Sequence, residues 1–529
     1  MSNQANASSA VKRKTLFSLS SLVRLYARGR VKRLNQMQPE KAQAALLKKL
    51  LRRAGNTRFG KTHGLDRIRG VEEYQRAVPV RKYEEFWEDW WHHDYPDLTD
   101  QTWPGRIPYF SMTSGTTTGR SKYIPYTPDM KRAAVRGFID LLCFHLVARP
   151  KSCVLDGDVL GLTGPTDLDR AAPGVDVGAV SAITVGGLPN WISRKVLPTR
   201  EIAQLTNWQE KISHLAPLAL SRDVRFLGGS PNWLLIFLEE VAKRGPGTSK
   251  RLVDWFPNLE LIVHGGVNFA PYRQRFADLM QNGHAETREM YSASEGVFAY
   301  ADGGDGEGMR LHLDGNVFFE FVPAEQVFSP DAERHWIANI ETGVDYAIVV
   351  STAAGLWSYI VGDVVRFVDL SPPRLIVVGR VENSMSLFGE HLIENEIANA
   401  VATAASELSL SILDYCVGPV AQTGHNHHLY LMEPATQPDP SMEEKLAEII
   451  DAELCSQNQD YRDLRTDNLA LAAPEVRLVA PGQFVRWMKA RRGLGGQYKV
   501  PRIVTDSSLF KDIREAVLDV QKEPNCNDN

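Results

Sequence analysis

The sequence predicts an α/β protein in two parts, a large N-terminal domain over residues 1–379 and a small one over 380–529. Three observations carry that reading. Between 223 and 296 three apolar runs, DVRFL, LELIV and ETREM, alternate with two helix-like stretches, the pattern of a parallel sheet with right-handed crossovers. Beyond 309 the pattern turns to period-two antiparallel β structure. From about Val381 the chain starts again as a compact unit of helices and strands. A chain of 529 residues also exceeds what one ordinary core accommodates.

Composition narrows the function classes. Apolar content of 43% and charged content of 23% are those of a soluble globular protein. The formal charge of −4 gives no reason to expect nucleic-acid binding. Cys143, Cys153, Cys416, Cys455 and Cys526 are odd in number and lack a CxxC pair. That argues against a disulfide framework or a zinc site and fits a reducing cytoplasm. No apolar run approaches the ~20 residues that span a bilayer. Residues 1–53 carry thirteen Lys/Arg against the single acid Glu40. The basic, amphipathic stretch 16–34 lacks a cleavage site and is a poor secretory signal. It is expected as a solvated helix lying on its own domain, with a weak membrane-surface contact as the alternative.

Taken in order, residues 40–53 have helical apolar spacing and end before Ala54-Gly55. Residues 83–95, YEEFWEDWWHHDY, read as a packed aromatic helix on which His92 and His93 point apart, so no metal is expected there. Residues 111–122, SMTSGTTTGRSK, bury almost nothing apolar. Their glycines can turn successive N–H groups toward one anion while hydroxyls and a cation complete its coordination. The Walker A order is absent, and read alone the stretch is either a surface turn or a phosphate cradle. YIPYT then reads as a strand, Thr127 as an N-cap and Pro128 as the first position of a helix running to about Val147. Its apolar face, including Phe138 and Leu142, either serves the core or walls an apolar substrate pocket.

In the parallel part the loops 228–230, 264–268 and 291–296 all follow strands. They therefore share the carboxyl edge where ligands bind in such sheets. The second helix is expected from about Pro271 to Gly283. Residues 309–322 read as a hairpin joined at Asp314-Gly315, and DGGDGEG (302–308) as a turn, since the calcium-loop spacing fails. Gly362-Asp363 interrupts a β run, either as an acceptor for sugar hydroxyls or as a bulge. In the second domain a helix over 394–408, strands near 411–417 and 428–432, helices near 441–455 and 484–492 and the strand 475–479 are expected. HNHH (425–428) reads as a hairpin tip with no acidic partner nearby, and Lys499 lies in a Gly-rich basic turn. That turn is either a loop that swings into a site elsewhere or a solvated tail.

With these pieces in place, the chain over roughly 40–510 resembles the Gretchen Hagen family of acyl acid amido synthetases, the auxin-responsive proteins of plants and their bacterial relatives. The resemblance rests on SMTSGTTTGRSK (111–122), YSASE (291–295) and GLWSYIVGDVV (355–365), with HGGVNFAPYRQRF (264–276) and GQYKVPR (496–502) as further landmarks. Ala293 departs from a motif serine and Ile360 from a motif arginine, and Trp357 and Ser358 also differ from the plant pattern, so a plant-hormone substrate is not carried over. The family is similar in architecture to firefly-luciferase-like acyl-adenylate-forming enzymes. That implies an N-terminal adenylating domain with parallel sheets and a β-barrel-like part, a small mobile C-terminal lid, and a hinge.

The resemblance implies two half-reactions, formation of an acyl-adenylate from ATP and a carboxylic acid, then transfer to an amine, usually of an amino acid. It places ATP against Thr113, Ser114, Gly115, Thr116, Thr117 and Gly119, against Gly265, Gly266 and Val267, and against Tyr291, Ser292, Ala293 and Ser294. Asp363 would accept the ribose hydroxyls and Arg380 would be the hinge-side basic residue. Lys122, Glu295 and Lys499 are the expected catalytic residues, Glu295 also holding Mg²⁺. Phe138 and Leu142, with 180–191 beside them, would line the acyl pocket. The competing readings are transfer to a thiol (coenzyme A or a carrier) and a non-catalytic nucleotide- or acyl-binding protein. A cytoplasmic monomer is expected.

Overall fold

The computed structural model describes residues 19–113, 122–162, 168–185, 194–205, 208–245, 251–329, 331–381, 390, 392–420, 426–437, 439–465, 471–492 and 500–518. The basic N-terminal segment forms the helix Leu19–Asn35. It lies on its own domain: Ala27, Val31 and Leu34 pack with Leu141, Leu142 and Phe144 of the helix Pro128–Ala148. The Arg30 guanidinium donates to both carboxylate oxygens of Asp140, each at 2.7 Å. The helix Pro39–Ala54 follows. Its Gln43 is buried among strands, donating to the Leu313 and Val317 carbonyls at 2.8 and 3.0 Å and accepting from the Phe319 N–H at 2.9 Å.

Residues 83–95 are less regular than a helix. Tyr83–Phe86 is α-helical, but Trp87–Trp91 widens into a π turn that lets Phe86, Trp90 and Trp91 all face the core. The wider turn also brings the His92 and His93 rings to 3.7 Å, not apart as neighbours on an α-helix would be. β1 (Tyr109–Thr113) and β2 (Lys122–Tyr126) are antiparallel, with Thr113 directly opposite Lys122. The hydroxyl-rich stretch therefore begins inside a strand, where Ser111 is fully buried. β3 (Asp158–Leu162) lies elsewhere, and β4 (Asp169–Ala172) and β5 (Val175–Gly178) complete a small sheet of order β2-β1-β5-β4.

One twelve-stranded sheet unites the predicted parallel and antiparallel parts. Its remaining strands are β6 (Val196–Leu197), β7 (Val224–Gly229), β8 (Leu261–His264), β9 (Glu286–Ala293), β10 (Gly296–Tyr300) and β11 (Met309–Leu311). They continue with β12 (Val317–Pro323), β13 (His335–Trp336), β14 (Asp345–Thr352), β15 (Tyr359–Leu370) and β16 (Pro373–Arg380). The order is β13-β12-β14-β15-β16-β11-β10-β9-β8-β7-β3-β6. From β6 to β9 every pairing is parallel, and from β9 onward every pairing is antiparallel. β8 and β10 are buried at every residue, so they read as unbroken apolar runs rather than alternations. Trp233, Leu234, Phe237 and Leu238 of the helix Pro231–Arg244 belong to the core beside the parallel half.

Three expectations change here. β9 does not stop at Met290 but runs on through Tyr291 to Ala293, so YSASE is a strand end and a tight turn rather than a loop. The helix expected to reach Gly283 is a 3₁₀ turn, Ala270–Tyr272, followed by Arg273–Leu279. Asp314-Gly315 does not close a hairpin: β11 pairs with β10 and β16, whereas β12 pairs with β13 and β14. The Asp314 carboxylate is instead drawn to Arg30 at 2.8 Å. The DGGDGEG stretch is a turn as expected, with Asp302 held by Arg310 and Arg374 and Asp305 by Arg273.

The C-terminal unit has its own sheet, β17 (Ile412–Val420), β18 (His427–Pro434) and β19 (Glu475–Leu478), in that order. Helices Glu394–Glu407 and Glu443–Gln457 share one core with it, and Phe510, Ile513 and Val517 of the unanticipated helix Ser507–Leu518 share a second. HNHH is not a tip without acids. His427 and His428 lie in β18, where their Nε2 atoms are 3.2 Å from Glu475 and 2.9 Å from Glu390. These carboxylates are far off in sequence and were invisible to local reading. The two parts meet where the buried Arg502 bonds Asp414 and the Tyr272 hydroxyl, and where Asn268 donates to Asn395 at 3.1 Å. Cys143, Cys153, Cys416 and Cys455 are free, and among the described residues no helix is long and apolar enough to cross a membrane.

Gln43→Leu strands two carbonyls and one N–H in the core, each worth roughly 1–3 kcal/mol when left unsatisfied. Urea titration of the variant is expected to show the N-terminal unfolding transition weakened by at least about 2 kcal/mol; an unchanged midpoint would contradict the packing described.

Candidate active site

Three strands converge on one carboxylate. In β15 the residues Val361–Asp363 bulge between the pairings Val349↔Ile360 and Ala347↔Val364, and Gly362 takes φ 95°. Only glycine adopts that conformation cheaply, so it is the residue that lets the strand kink and re-aim its neighbour. Both readings of Gly362-Asp363 thus meet: a bulge that presents an acid. Asp363 is opposite Arg380, the last residue of β16, whose Nε lies 3.0 Å from Asp363 Oδ1. From β9 the Tyr291 hydroxyl donates to Asp363 Oδ2 at 2.6 Å. Each carboxylate oxygen retains a free acceptor direction, and the Asp363 side chain is 17% exposed, open to a ligand.

Glu295 lies in the turn between β9 and β10, where Ala293 and Gly296 face each other. It is buried and accepts from the Tyr359 hydroxyl at the start of β15. Burial pushes its carboxyl up to about 7, the Asp363 charge adding to the effect while Arg380 and Tyr359 oppose it. Arg380 is raised chiefly by Asp363 and further by Glu295. Burial raises the Tyr291 and Tyr359 phenols well above their ordinary range, Asp363 and Glu295 respectively reinforcing it. Two acids, one guanidinium and two phenols therefore form a single electrostatic unit, one that gains from an added cation.

Lys122 joins this unit from the small sheet. Its Nζ is 3.5 Å from Glu84 and 5.3 Å from the centre of the Tyr83 ring, and both residues bear electrostatically on Tyr359. The arrangement is fixed by backbone: Arg81 N–H donates to the Ser358 carbonyl and Ile360 N–H to the Arg81 carbonyl. Thr113 lies opposite Lys122 at the mouth of the β1–β2 connection. Ser114, Gly115, Thr116, Thr117, Gly119 and Lys499 lie outside the described residues.

At the end of β8, a Cβ on Gly265 would sit 2.2 Å from the Met290 carbonyl oxygen, so only glycine passes there, and Gly266 takes φ 82°. Val267 turns back into the core below, while Ser292 is exposed and Ala293 and Ser294 are half-buried at the turn. Phe138 and Leu142 are not gathered with these groups. Phe138 packs on Phe226 at 5.5 Å, and Leu142 is buried in the same cluster beneath the N-terminal helix. The motif departures have packing reasons. Trp357 is fully buried with Nε1 donating to the Thr102 carbonyl, Ser358 bonds Tyr74 and Glu320, and Ile360 packs against the cluster of Val322, Val327, Ala347 and Val349.

Sequence reading did not single out Tyr359, Tyr83 or His264. Tyr359 sits inside the motif quoted for Asp363, which was its only signal. His264 is buried at the end of β8, stacked 3.8 Å from Phe269 and lowered to about 4 by burial; it stays neutral at pH 7.

The GH3 family N-terminal, central and C-terminal domain models match residues 32–194, 311–380 and 395–508, together more than half of the chain. Indole-3-acetic acid-amido synthetase GH3.3 of Arabidopsis thaliana is 27% identical over 39% of this chain and 36% of its own length. A probable indole-3-acetic acid-amido synthetase, GH3.9 of Oryza sativa subsp. japonica, is 28% identical over 40% of this chain and 52% of its own. The chain thus spans about a third to a half of the length of these curated relatives. Among solved structures, GH3.15 acyl acid amido synthetase superposes with a TM-score of 0.75 at 18% identity, covering 92% of this chain and 95% of that one. 2-Hydroxyisobutyryl-CoA ligase in its postadenylation state superposes at 0.54 and 14% identity, covering 93% and 92%. These likenesses show a shared fold.

The Glu295 shift has a stability consequence. Its folded-state pKa is raised from 4.5 to about 7, so the fold binds this proton more tightly than the unfolded chain does. The contribution is fully present below about pH 4.5 and lost as pH rises to about 7, an effect of about 3 kcal/mol. Glu295→Gln is expected to flatten the stability-versus-pH curve in that window, read by urea titration at pH 5 and pH 7.5; curves of equal slope for the two proteins would contradict it.

Proposed function

This chain belongs to the GH3 family, and we propose that it activates a carboxylic acid with ATP and passes the acyl group to an amine, forming an amide. The observation that carries the reading is the Asp363 anchor: a carboxylate held by Tyr291 and Arg380 with acceptor capacity to spare. Such an acceptor suits the paired hydroxyls of a ribose. Glu295 suits a cation, since its ionised form is penalised by burial and by Asp363 until a positive charge meets it. Mg²⁺ held there would neutralise phosphate oxygens when bound.

In the first half-reaction the acid's carboxylate oxygen attacks the α-phosphorus of ATP, and pyrophosphate leaves. Displacement at phosphorus asks for positioning and charge neutralisation more than for proton transfer. Backbone and hydroxyl donors of Ser114, Thr116 and Thr117, with Lys122 at the foot of that connection, are assigned to the phosphates. In the second half-reaction the amine nitrogen attacks the acyl carbonyl, and AMP leaves. In the first half-reaction Lys499 is assigned to the charge that develops on the α-phosphate as the C-terminal unit, residues 380–529, closes about a hinge after Arg380.

The relatives' names speak of indole-3-acetic acid, so an indolyl acid belongs in the substrate panel. Trp357, Ser358 and Ile360 depart from the plant motif, so aryl and fatty acids belong there too. The test is pyrophosphate release over that panel, with amino acids and thiols offered separately as acceptors. Acid-dependent release and an amide product are expected, with Asp363→Ala and Lys499→Ala each slower by roughly 10²–10³-fold. A thioester as sole product would overturn amide transfer, and no release with any acid would leave a binding protein.

A further inference from the structure

Asp140, His312 and Asp314 lie away from Asp363 and Glu295, and one ligand atom of each falls within 4.8 Å of the other two. They come from the Pro128–Ala148 helix, from the residue after β11, and from the Asp314-Gly315 turn that fails to make a hairpin. Asp140 and His312 are buried, while the Asp314 side chain is 27% exposed. The imidazole is built into its place. A Cβ on Gly315 would stand 2.5 Å from His312 Nδ1 and one on Gly137 would stand 3.2 Å from it, so glycine on both sides makes room for the ring.

His312 Nδ1 lies 3.3 Å from the Val297 carbonyl oxygen. A carbonyl only accepts, so Nδ1 carries the proton and Nε2 presents a lone pair. That Nε2 is buried without a hydrogen-bond partner, and so is Asp314 Oδ1. The two stand 3.6 Å apart, too far for a hydrogen bond. Two donors at about 2.0–2.1 Å from one ion, at a tetrahedral angle, are about 3.3–3.4 Å apart. Arg30 occupies the other side, at 2.7 Å from both oxygens of Asp140 and 2.8 Å from Asp314 Oδ2. Asp140 Oδ2 also accepts from the Tyr300 hydroxyl at 3.4 Å, Asp140 Oδ1 keeps a second acceptor direction, and Arg136 faces Asp314 from the same helix.

We propose that Asp140, His312 and Asp314 bind a divalent transition-metal ion of the zinc class, with water completing the coordination. An imidazole held by a backbone carbonyl is the usual setting of a metal-ligating histidine, and imidazole with carboxylates suits zinc or manganese better than magnesium. The ion ties the Pro128–Ala148 helix to the corner after β11, and Arg30 of the N-terminal helix braces the outer carboxylate oxygens. It acts there as a structural pin, with His312 held against β10 through the Val297 carbonyl.

The experiment uses the full chain, untagged and stripped with a chelator, titrated calorimetrically with Zn²⁺, Mn²⁺ and Mg²⁺ in turn. One saturable Zn²⁺ or Mn²⁺ is expected, with a rise in thermal midpoint. His312→Gln and the half-exposed Asp314→Asn should each weaken binding by more than the roughly 10–100-fold typical of losing a group that only orients a ligand. Binding that is unchanged in both variants, binding of Mg²⁺ alone, or no saturable binding of any of the three ions would overturn the site.

Discussion

The Asp363 carboxylate holds the site together. Its two oxygens receive Tyr291 from β9 and Arg380 from the end of β16, so one residue fixes strands that are separated by β10 and β11 in the sheet. The bulge at Gly362 aims Asp363, and the pairing of β15 with β16 sets Arg380 opposite it. Without that anchor Arg380 would keep only the weaker pull of Glu295 and Glu394, and Tyr291 would be a buried phenol deprived of its carboxylate acceptor. Its partner Arg380 is the last residue of β16, so the anchor lies where the chain leaves the sheet toward its C-terminal unit.

Glu295 shows how burial prepares such a site for charge. Its carboxyl is pushed up to about 7 by desolvation first and by Asp363 second. A group placed that way is uncomfortable as an anion and comfortable beside a cation. Tyr359 and Arg380 stabilise it only in part. The unit of Tyr83, Glu84, Lys122 and Tyr359 extends the same electrostatics across to the small sheet, so the hydroxyl-rich connection of residues 114–121 is rooted at Lys122 in the neighbourhood of Glu295.

Much of this was legible in the sequence, and the failures have a common cause. Thr127 as N-cap, the Ser230-Pro231 helix start, the parallel strands and the interrupting Gly362-Asp363 are local signals, and the structure has them where they were read. Asp314-Gly315 looks like a hairpin because turn chemistry is local, but β12 finds a better partner in β14, and Arg30, almost three hundred residues upstream, claims the aspartate. The histidines of β18 looked partnerless because Glu390 and Glu475 are distant in sequence. His92 and His93 were placed by α-helical geometry, which the π turn at Trp87–Trp91 breaks. Phe138 and Leu142 show the limit of apolar pattern: it says that a face is buried, and the structure adds that the N-terminal helix packs in the same cluster.

The claim on which the account turns is that Asp363 is the acceptor for the sugar of the nucleotide. The direct test is calorimetric binding of ATP and of 2′,3′-dideoxy-ATP to the wild type and to Asp363→Asn. The account predicts that the wild type binds ATP more tightly than the dideoxy analogue, and that the variant binds ATP more weakly and barely distinguishes the two. A variant that discriminates between them as strongly as the wild type would contradict it.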